Sequence, residues 1–395
     1  MLGISFLLLL RKVIHHIIGL FPSKKLPNAK KDYRYAILIP ARNESKVITQ
    51  LLNSIAWQDY DQKLLKTFVI VESEEDPTCE IAKKFKNTDV FVRKHLELKG
   101  KGQALNEVVV DILNSGEEFD AFFIFDADNV LSKNFIKEMN KCFDAGYEIA
   151  LGYRNSKNWN DGWIASCSAI TFSMVNTLNN KGRSKLKNKV TLSGTGFYIS
   201  GNILKDLGGW KFCTLTEDYE LSIYSAIQNY KTYYNEYAEF FDEQPTDLKT
   251  SWNQRLRWVK GYSQVNKKYR KDLLKSVLTQ KENKLAKTEY LMNIIPVLSL
   301  LLTAFLYAFF TLGLGIAGSI LGIDERWKVY MAFGISIFAI YLFYVFYMAL
   351  MLFLERKKIN ITFWHAVSCA LMGPFFMSLY IPIGLIALSK KDVEW

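Results

Sequence analysis

Apolar residues are distributed along this chain in two different ways. Between residues 35 and 125, short apolar runs rich in β-branched and aromatic residues alternate with segments of helix length. That alternation predicts a parallel α/β domain. After residue 289 the pattern changes to three long runs, 290–323, 329–354 and 359–388, which contain no Asp, Glu, Lys or Arg.

The α/β part is predicted to contain four strands, at 35–40, 67–71, 91–92 and 121–125. An apolar stripe after the first strand predicts a covering helix, and a second helix is expected at 103–113. Polar residues directly follow three of the strands. The carboxyl ends of parallel strands meet at one edge of a sheet, where ligands bind. We therefore expect these polar residues to line one crevice.

Each charge-free run exceeds the roughly 20 residues that cross a bilayer as a helix. The runs predict an integral membrane protein with about three transmembrane helices within 290–388, followed by a tail at 389–395. Pro296 could split the first run, and Pro374 and Pro382 could kink the third or make it partly re-entrant.

The first 21 residues are apolar except around Arg11 and Lys12. Basic residues would precede the apolar core of a cleaved signal, so residues 1–34 are predicted to form a membrane anchor or interfacial helix and a basic linker. The Lys-rich linker predicts that the α/β domain, residues 35–265, faces the cytoplasm. The expected location is the cell (plasma) membrane, with a multi-pass topology.

The formal net charge of +11 is concentrated near the expected membrane. Residues 181–189 and the juxtamembrane segment 266–289 are both rich in Lys and Arg. Anionic membrane lipids are the predicted partner, whereas no recognition fold or aromatic platform for nucleic acid accompanies the charge. Five scattered cysteines, never at metal-binding spacing, predict reduced, buried thiols.

Asp126-Ala127-Asp128 places two carboxylates one residue apart at the end of the fourth strand. A hard divalent cation, Mg²⁺ or Mn²⁺, can bind one directly and the other through water, with positions left for phosphate oxygens. The alternative is that the two acids only cap a turn. The preceding apolar strand favours the metal site.

Lys101 lies among small residues at a predicted helix start, a setting that can admit a phosphorylated ligand. A solvated lysine turn is the alternative, and the spacing differs from that of a phosphate-binding P-loop. Farther along, Thr216-Glu217-Asp218 precedes an apolar helical stripe. Thr216 can cap that helix, and Asp218 can act as a general base that removes a hydroxyl proton.

Gly194 and Gly196 relieve the backbone at a place where an acceptor could lie close, although a plain turn fits them equally well. Gln254, Arg257 and Trp258 would share one helix face, where a diphosphate and a sugar ring could meet. The alternative for that segment is an amphipathic helix anchored by its tryptophan.

These motifs, in this order, resemble the family 2 glycosyltransferases of the GT-A fold. The resemblance is closer to the membrane-bound branch that includes processive cellulose, hyaluronan and poly-N-acetylglucosamine synthases. It covers about residues 35–261 and also rests on Ile39-Pro40-Ala41-Arg42-Asn43-Glu44, Asp76-Pro77-Thr78, and Lys101-Gly102 with Ala104-Leu105-Asn106. It implies an α/β GT-A (Rossmann-like) cytoplasmic domain joined to α-helical transmembrane segments.

The resemblance implies roles for individual residues. Asp128 would bind Mg²⁺ or Mn²⁺ on the donor diphosphate, with Asp126 near the ribose or sugar, and Asp218 would be the catalytic base. The residues implied around the donor nucleotide are Pro40, Arg42, Glu44, Glu72, Asp76, Lys101, Asp126, Gln254 and Arg257. Those implied around the acceptor are Glu217, Gly194, Gly196 and Trp258, of which Trp258 would stack on the sugar. The implied metal ligands are Asp126 and Asp128.

The family also uses an acid after the second strand to hold uracil. Glu72 stands here where an Asp is usual, and either Glu72 or Asp76 could take that role. The expected donor is a nucleotide-sugar, with a UDP-sugar favoured but less secure because of this difference.

The predicted function is inverting, metal-dependent transfer from a nucleotide-sugar that extends a cell-envelope polysaccharide processively. The alternative is single-sugar transfer to a lipid-linked acceptor. The motif ending at Trp258 favours the polymer, and the small number of spans favours the lipid. A complete polymer channel could require a homo-oligomer or a membrane partner.

Two other classes fit the sequence less well. A transporter would need titratable groups within its spans, and His365 is the sole candidate there. A catalytically inactive binding module is disfavoured because all the expected acids are present.

Overall fold

The computed structural model describes residue 11 and residues 13–292, 298–322 and 326–389. An eight-stranded sheet forms the centre of the described α/β domain, in the order β3-β2-β1-β4-β7-β6-β8-β5. Its strands are β1 Tyr35–Pro40, β2 Leu65–Val71, β3 Thr88–Val92, β4 Ala121–Ile124, β5 Val130–Leu131, β6 Ile149–Ser156, β7 Phe197–Ser200 and β8 Thr232–Asp242.

The first four strands run parallel to one another, as the sequence predicts. Beyond them the sheet is mixed, because β7 runs antiparallel to both β4 and β6. The carboxyl ends of β1, β2 and β4 therefore lie at one edge.

Helices cover the sheet and continue beyond it. They are α1 at 13–19, α2 Ile48–Ala56, α3 Pro77–Ala82, α4 Lys101–Ser115, α5 Phe135–Asp144, α6 Trp163–Met174, α7 Gly182–Lys185, α8 Gly201–Leu207, α9 Glu217–Ile227, α10 Leu248–Thr279, α11 Lys284–Met292, α12 Leu298–Ile320, α13 Arg326–Glu355, α14 Phe363–Ser378 and α15 Tyr380–Ser389. A π-helical segment, Val175–Lys181, joins α6 to α7.

The hydrophobic core lies on both faces of the central strands. Alternate residues of β1 enter different clusters: Ile37 packs with α2 residues such as Leu51, and Leu38 packs with α4 residues such as Leu105. All but the last residue of β1 is buried, which explains why its sequence is continuously apolar rather than alternating.

An irregularity in β6 directs the side chains that follow it. The register with β8 shifts between Gly152 and Tyr153. A Cβ atom on Gly152 would come within 2.5 Å of the Ala238 carbonyl oxygen and 2.6 Å of the Phe135 ring. Glycine therefore permits the close approach, and the bulge re-aims the next residues, Arg154 among them.

The predicted boundary at residue 265 falls within α10, so the α/β domain and the first part of the basic segment share one continuous helix. All five cysteines are free, and four of them are buried as expected. Cys213 is exposed, contrary to the expectation, because it lies in the loop before α9.

Two described helical stretches, Trp327–Glu355 and Phe363–Ser389, are long and apolar enough to cross a membrane. They correspond to the second and third predicted spans. The first corresponds to α12, but Pro296 lies outside the described residues. The third is broken at Leu379, where Pro382 removes the N–H that would bond to the Ser378 carbonyl.

The N-terminal prediction falls partly outside the described residues, which begin at residue 11. Helix α1 packs on the α/β domain through Gly19, which approaches the Thr177 backbone, and through Gly182, which approaches the His15 backbone. Its other side exposes Ile17 and, just beyond the helix, Phe21.

The loop after α13 is joined to the α/β domain by a buried carboxylate. Glu355 is 5% exposed and accepts hydrogen bonds from the Tyr153 hydroxyl, at 2.8 Å, and from the Thr177 hydroxyl. Three residues later, the carbonyl of Lys358 accepts a hydrogen bond from the Asn155 amide at 2.9 Å. The end of a candidate span is thus fixed to β6.

We expect Glu355→Ala to lower the free energy of unfolding by about 1–3 kcal/mol, because two buried hydroxyl groups lose their acceptor. Thermal unfolding of the detergent-solubilised chain measures this. Glu80→Ala, which removes a carboxylate whose side chain is 77% exposed, is the control and should change little. Equal effects of the two substitutions would contradict the assigned role.

Candidate active site

Lys101 connects three segments that are distant in sequence. Its Nζ donates to Asp126 Oδ1 and, at 2.8 Å, to the Gly194 carbonyl, and it lies 3.7 Å from Glu217 Oε1. Burial opposes the charge of the ammonium, but the neighbouring Asp126 and Glu217 carboxylates outweigh burial and raise its pKa. A fixed positive charge therefore stands in the crevice.

The local backbone explains why lysine and glycine alternate at this point. Gly100 has φ 111°, outside the range that other residues adopt easily, and it precedes the first turn of α4. A Cβ atom on Gly102 would clash with the Phe212 carbonyl oxygen, so glycine allows this turn to pack closely. Lys101 thereby begins a helix, as the sequence predicts.

Asp128 occupies a buried position crowded with negative charge. Burial, followed by the nearby Asp242 and Asp126 carboxylates, raises the pKa of Asp128 to about 8. Acids that are short of compensating positive charge are suited to a divalent cation. Among the described residues, however, no group of three or more His, Cys, Asp or Glu side chains could hold a metal alone. The residues fit a metal that also receives oxygens from a diphosphate.

Asn129 is completely buried beside these acids, and its side-chain amide binds several groups at once. Its Nδ2 donates at 3.0 Å to both Asp128 Oδ1 and Asp242 Oδ1. Its Oδ1 accepts from the Thr195 hydroxyl and, at 3.3 Å, from the Asp126 N–H. One amide thus binds the carboxylates of Asp128 and Asp242, the backbone N–H of Asp126 and the loop before β7.

Glu217 and Asp218 open α9 on the opposite side of Lys101. Burial raises the pKa of Glu217 to about 7, although Lys101 acts in the other direction. Burial also raises the pKa of Asp218, against hydrogen bonds from the backbone N–H groups of Tyr219 and Gly194. Both acids therefore hold their protons more tightly than in water.

The predicted capping role of Thr216 is wrong. Thr216 precedes α9, but its side chain makes no capping hydrogen bond, and its hydroxyl has no partner among the described residues. The side chain instead packs against α10, where a Cβ atom on Gly261 would lie 2.5 Å from it. Close packing of two helices has replaced the cap.

The two glycines of the 194–196 loop differ in their surroundings. Gly194 has φ 82°, and no atom lies within 4 Å of a Cβ built on it, so space remains above this backbone. Gly196 has φ 70°, and its Cβ would overlap the Phe240 ring. Packing against the core accounts for Gly196, whereas Gly194 borders the crevice through Lys101 and Asp218.

The loop after β1 is held by Asp76. Asn43, with φ 57°, donates its N–H to Asp76 Oδ2 at 2.8 Å, and Thr78 N–H binds the other oxygen at 2.8 Å. The Glu44 N–H donates to Thr78 Oγ1 at 3.0 Å. Burial would raise the pKa of Asp76, but these hydrogen bonds lower it. Its carboxylate is committed to joining two loops.

Glu72 is more accessible than Asp76. Its Oε2 lies 3.1 Å from Arg42 Nε, and the side chains of Glu72 and Arg42 are 40% and 70% exposed. Pro40 ends β1 and precedes this loop. Glu44 is half-buried, and burial, with the charges of Asp126 and Asp76, raises its pKa. The residues predicted around the donor nucleotide therefore come from adjacent strand ends.

The predicted site residues Gln254, Arg257 and Trp258 lie on α10, next to the apolar C-terminal helices. Gln254 and Trp258 line a narrow cavity of about 10 Å³ between α6, α10, α14 and α15, as expected for residues on one helix face. A cavity of this size has room for about one water molecule. Trp258 also meets the Phe172 ring edge-to-face, with 5.8 Å between ring centroids. Arg257 is half-buried on the same helix.

Arg255, which the sequence analysis left without a role, also lines this cavity. It is 1% exposed, donates to the Phe376 carbonyl at 2.9 Å, and lies 4.1 Å from the centroid of the Phe376 ring. Arg255 therefore anchors α14 to the α/β domain. The available signal is its position four residues before Val259, on the buried face of a mostly polar helix.

Comparison with known proteins decides the family. The profile described as "Glycosyltransferase like family 2" matches residues 33–261, more than half of the chain. The chain belongs to this glycosyltransferase family. The family predicted from the motifs is confirmed.

Several relatives of this glycosyltransferase are similar over the same region. A probable glycosyltransferase, YdaM of Bacillus subtilis, is 27% identical over 259 residues, 61% of this chain and 58% of the relative. A beta-monoglucosyldiacylglycerol synthase of Trichormus variabilis is 26% identical, covering 57% and 48%. A poly-beta-1,6-N-acetyl-D-glucosamine synthase of Staphylococcus epidermidis is 25% identical, covering 58% and 55%. The alignments thus span about half the length of these relatives.

A solved structure extends the fold comparison to the whole glycosyltransferase chain. The mannosyltransferase PcManGT from Pyrobaculum calidifontis, solved with GDP-Man and Mn²⁺, aligns with a TM-score of 0.56 and 13% identity. The alignment covers 99% of each chain. The predicted GT-A fold joined to C-terminal apolar helices is thereby confirmed.

We expect Lys101→Met to move the acid limb of the rate profile to higher pH. If Asp218 is the base, it must be deprotonated, and the rate rises with pH through its pKa. The charge of Lys101 lowers the pKa of Asp218, so removing that charge makes the proton harder to lose. The measurement is nucleoside diphosphate release as a function of pH, with the exposed Lys83→Met as the control. An unchanged limb, or one at lower pH, would show that Lys101 does not act on the base.

Proposed function

We propose that this glycosyltransferase transfers a sugar from a nucleotide-sugar to an acceptor hydroxyl with inversion, in a reaction that depends on a divalent metal. The observation that carries the proposal is the position of Lys101. It contacts Asp126 and the Gly194 carbonyl and stands near Glu217, the neighbour of Asp218. The donor side and the base side of the reaction therefore share one crevice.

Asp218 is the proposed catalytic base. It accepts the proton of the acceptor hydroxyl as that oxygen bonds to the anomeric carbon and the bond from this carbon to the diphosphate oxygen breaks. The attacking and leaving oxygens lie on opposite sides of the carbon, so the configuration inverts. The raised pKa of Asp218 makes it a better proton acceptor than an exposed aspartate.

Asp128 and Asp126 would hold Mg²⁺ or Mn²⁺ together with the donor diphosphate. When bound, the metal supplies positive charge that stabilises the departing nucleoside diphosphate. Lys101 adds a fixed cation beside the N-terminus of α4, where anions are favoured. Gln254 and Arg257 are proposed to bind the same diphosphate from α10.

Glu72 is the proposed base-recognition acid, with Arg42, Glu44 and Pro40 around it. Asp76 is already occupied by two backbone N–H groups, so we assign it to shaping the loop rather than to direct recognition. A carboxylate can accept hydrogen bonds from the N–H groups of either uracil or guanine. A UDP-sugar remains our first choice of donor, and GDP-sugars belong in the same panel.

We further propose that the acceptor is a growing glycan, extended processively. Trp258 lies with Gln254 where α10 meets the apolar C-terminal helices. An indole at this junction would stack on a sugar ring of the glycan. The 194–196 loop and Glu217 would border the acceptor from the other side. The Staphylococcus relative named above is a polymer synthase, which agrees with this proposal.

Single-sugar transfer to a lipid is the second candidate, favoured by a specific observation. In the most apolar part of α13, only 17% of the residues are buried within the chain. Side chains such as Phe338 and Phe346 face outward. A helix with so much outward surface suits contact with lipid better than the wall of a polymer channel. The Trichormus relative is named as a synthase of a glycolipid.

The catalytic domain is proposed to lie on the cytoplasmic face of the plasma membrane. Exposed Leu274, Leu278 and Leu285 lie among the lysines of α10 and α11. This combination of apolar and basic side chains suits the surface of an anionic bilayer. A second copy or a membrane partner would be needed if the polymer crosses within the protein.

We expect Asp218→Asn to reduce nucleoside diphosphate release by about 10²–10⁴-fold, because the amide cannot accept the proton. Detergent-solubilised protein would be given UDP- and GDP-sugars with Mg²⁺ or Mn²⁺. Asp111→Asn, on the exposed side of α4, is the control and should retain wild-type release. Absence of metal-dependent release from the wild type with every donor would contradict the proposed function.

The product size separates the two acceptors. If the product is a glycan, the wild type should form long chains, and Trp258→Ala should shorten them because a stacking surface is lost. Chromatographic sizing with mass spectrometry measures the distribution. Trp57→Ala, which removes an indole that is 75% exposed, is the control. A lipid bearing one sugar as the sole product would establish the second candidate instead.

A further inference from the structure

Arg154, near the end of β6, has every branch of its guanidinium engaged. Nε donates to Asp242 Oδ2 at 2.8 Å, Nη2 donates to the same oxygen, and Nη1 donates to the Ser193 carbonyl at 2.7 Å. The guanidinium carbon lies 3.7 Å from the centroid of the Phe172 ring. The residue is 8% exposed, so the ion pair with Asp242 is shielded from water.

Asp242 carries this connection to the metal-binding acids. It lies at the end of β8, is 2% exposed, and receives Asn129 Nδ2 on its other oxygen. The same Asn129 nitrogen donates to Asp128. Gln244 Nε2 completes the hydrogen bonds of Asp242 at 2.8 Å. Arg154 therefore acts on Asp128 through two intermediaries.

The other contacts of Arg154 lead to the base and acceptor sides. Ser193 is followed by Gly194, whose carbonyl accepts from Lys101. Phe172 contacts Trp258 edge-to-face. One guanidinium thus joins three groups around the crevice. The residues it contacts, Asp242, Ser193 and Phe172, are not among the predicted site residues.

We propose that Arg154 is a positioning residue for donor binding, which holds Asp242 and the Ser193 loop in the arrangement that presents Asp128 to a divalent metal. This inference rests on the proposed function. Arginine suits the position because its planar fork binds Asp242 and Ser193 at once while stacking on Phe172. Lysine would keep the charge but could not make this set of contacts.

The test is binding of Mn²⁺ to the full chain, followed by electron paramagnetic resonance in the presence of saturating UDP or, separately, GDP. No turnover is needed. Groups that support a metal ligand typically change metal affinity about 10–100-fold when altered. We expect Arg154→Lys to weaken Mn²⁺ binding about tenfold, within the lower part of that range.

Arg183→Lys is the matched control. Arg183 is also buried, pairs with the buried Glu289 and lies near the Tyr290 ring. Its other hydrogen bonds go to Asn179 and the Lys189 carbonyl, away from the contacts that connect Arg154 to Asp128. It should keep wild-type Mn²⁺ affinity even if its thermal unfolding temperature falls as far as that of Arg154→Lys. Equal loss of Mn²⁺ affinity in both variants would show that Arg154 has only a general structural role, and would overturn the proposal.

Asn129→Ser provides a second test should Arg154→Lys not fold. It removes the amide that joins Asp242 to Asp128 and leaves the Arg154–Asp242 pair in place. We expect a similar weakening of Mn²⁺ binding. Unchanged Mn²⁺ affinity would show that the connection from Asp242 through Asn129 to Asp128 does not support the metal site, and would overturn the proposal. A wild type that binds Mn²⁺ and turns over, with variants that match it, refutes this inference alone. A wild type that binds no Mn²⁺ with either nucleotide refutes the metal-dependent function as well.

Discussion

A single buried ammonium is the interaction on which the catalytic crevice depends. Lys101 stands between Asp126 and Glu217, and the charge of Asp218 also acts on it. Burying several carboxylates together is strongly unfavourable unless cations or hydrogen bonds compensate them. Burial raises the pKa of Glu217 despite Lys101, and it raises the pKa of Asp128 despite Lys157 and Arg154, so the nearby cations compensate these carboxylates only in part. The crevice is therefore prepared to take up further positive charge along with its substrate.

The requirement for that ammonium links the fold to the chemistry. Lys101 reaches the crevice because α4 begins there, and α4 can begin there because Gly100 and Gly102 permit its backbone path. The Gly194 carbonyl that accepts from Lys101 belongs to the loop leading into β7, which pairs antiparallel with β4. Because β7 runs antiparallel to β4, the loop before β7 lies at the same edge of the sheet as the carboxyl ends of β1, β2 and β4.

Much of the fold and part of the site could be predicted from sequence, because the signals were local. Each of the four predicted strands is present, and the Asp126–Asp128 motif follows β4 directly. Residues adjacent in sequence, or at strand ends of one parallel sheet, must lie near each other. The helix start at Lys101 and the shared face of Gln254 and Trp258 follow from similarly short-range rules.

The supporting network could not be predicted, because its members are distant in sequence and ordinary in composition. Arg154 and Asp242 are 88 residues apart, and Asn129 and Asp242 are 113 apart. Charged residues near strand ends usually face water, so nothing marked these as buried partners. The Thr216 cap failed for a related reason: close packing by Gly261 of α10 replaced a local hydrogen bond.

The Glu355 junction has a consequence for how an acceptor reaches the chemistry. Hydrogen bonds from Tyr153 and Thr177 fix the end of α13 to the catalytic domain without a flexible linker. If α13 crosses a bilayer, as its length and apolar composition allow, this attachment keeps the domain at a constant height above the bilayer surface. The distance from the bilayer at which an acceptor hydroxyl has to be presented would then be set by the Glu355 junction.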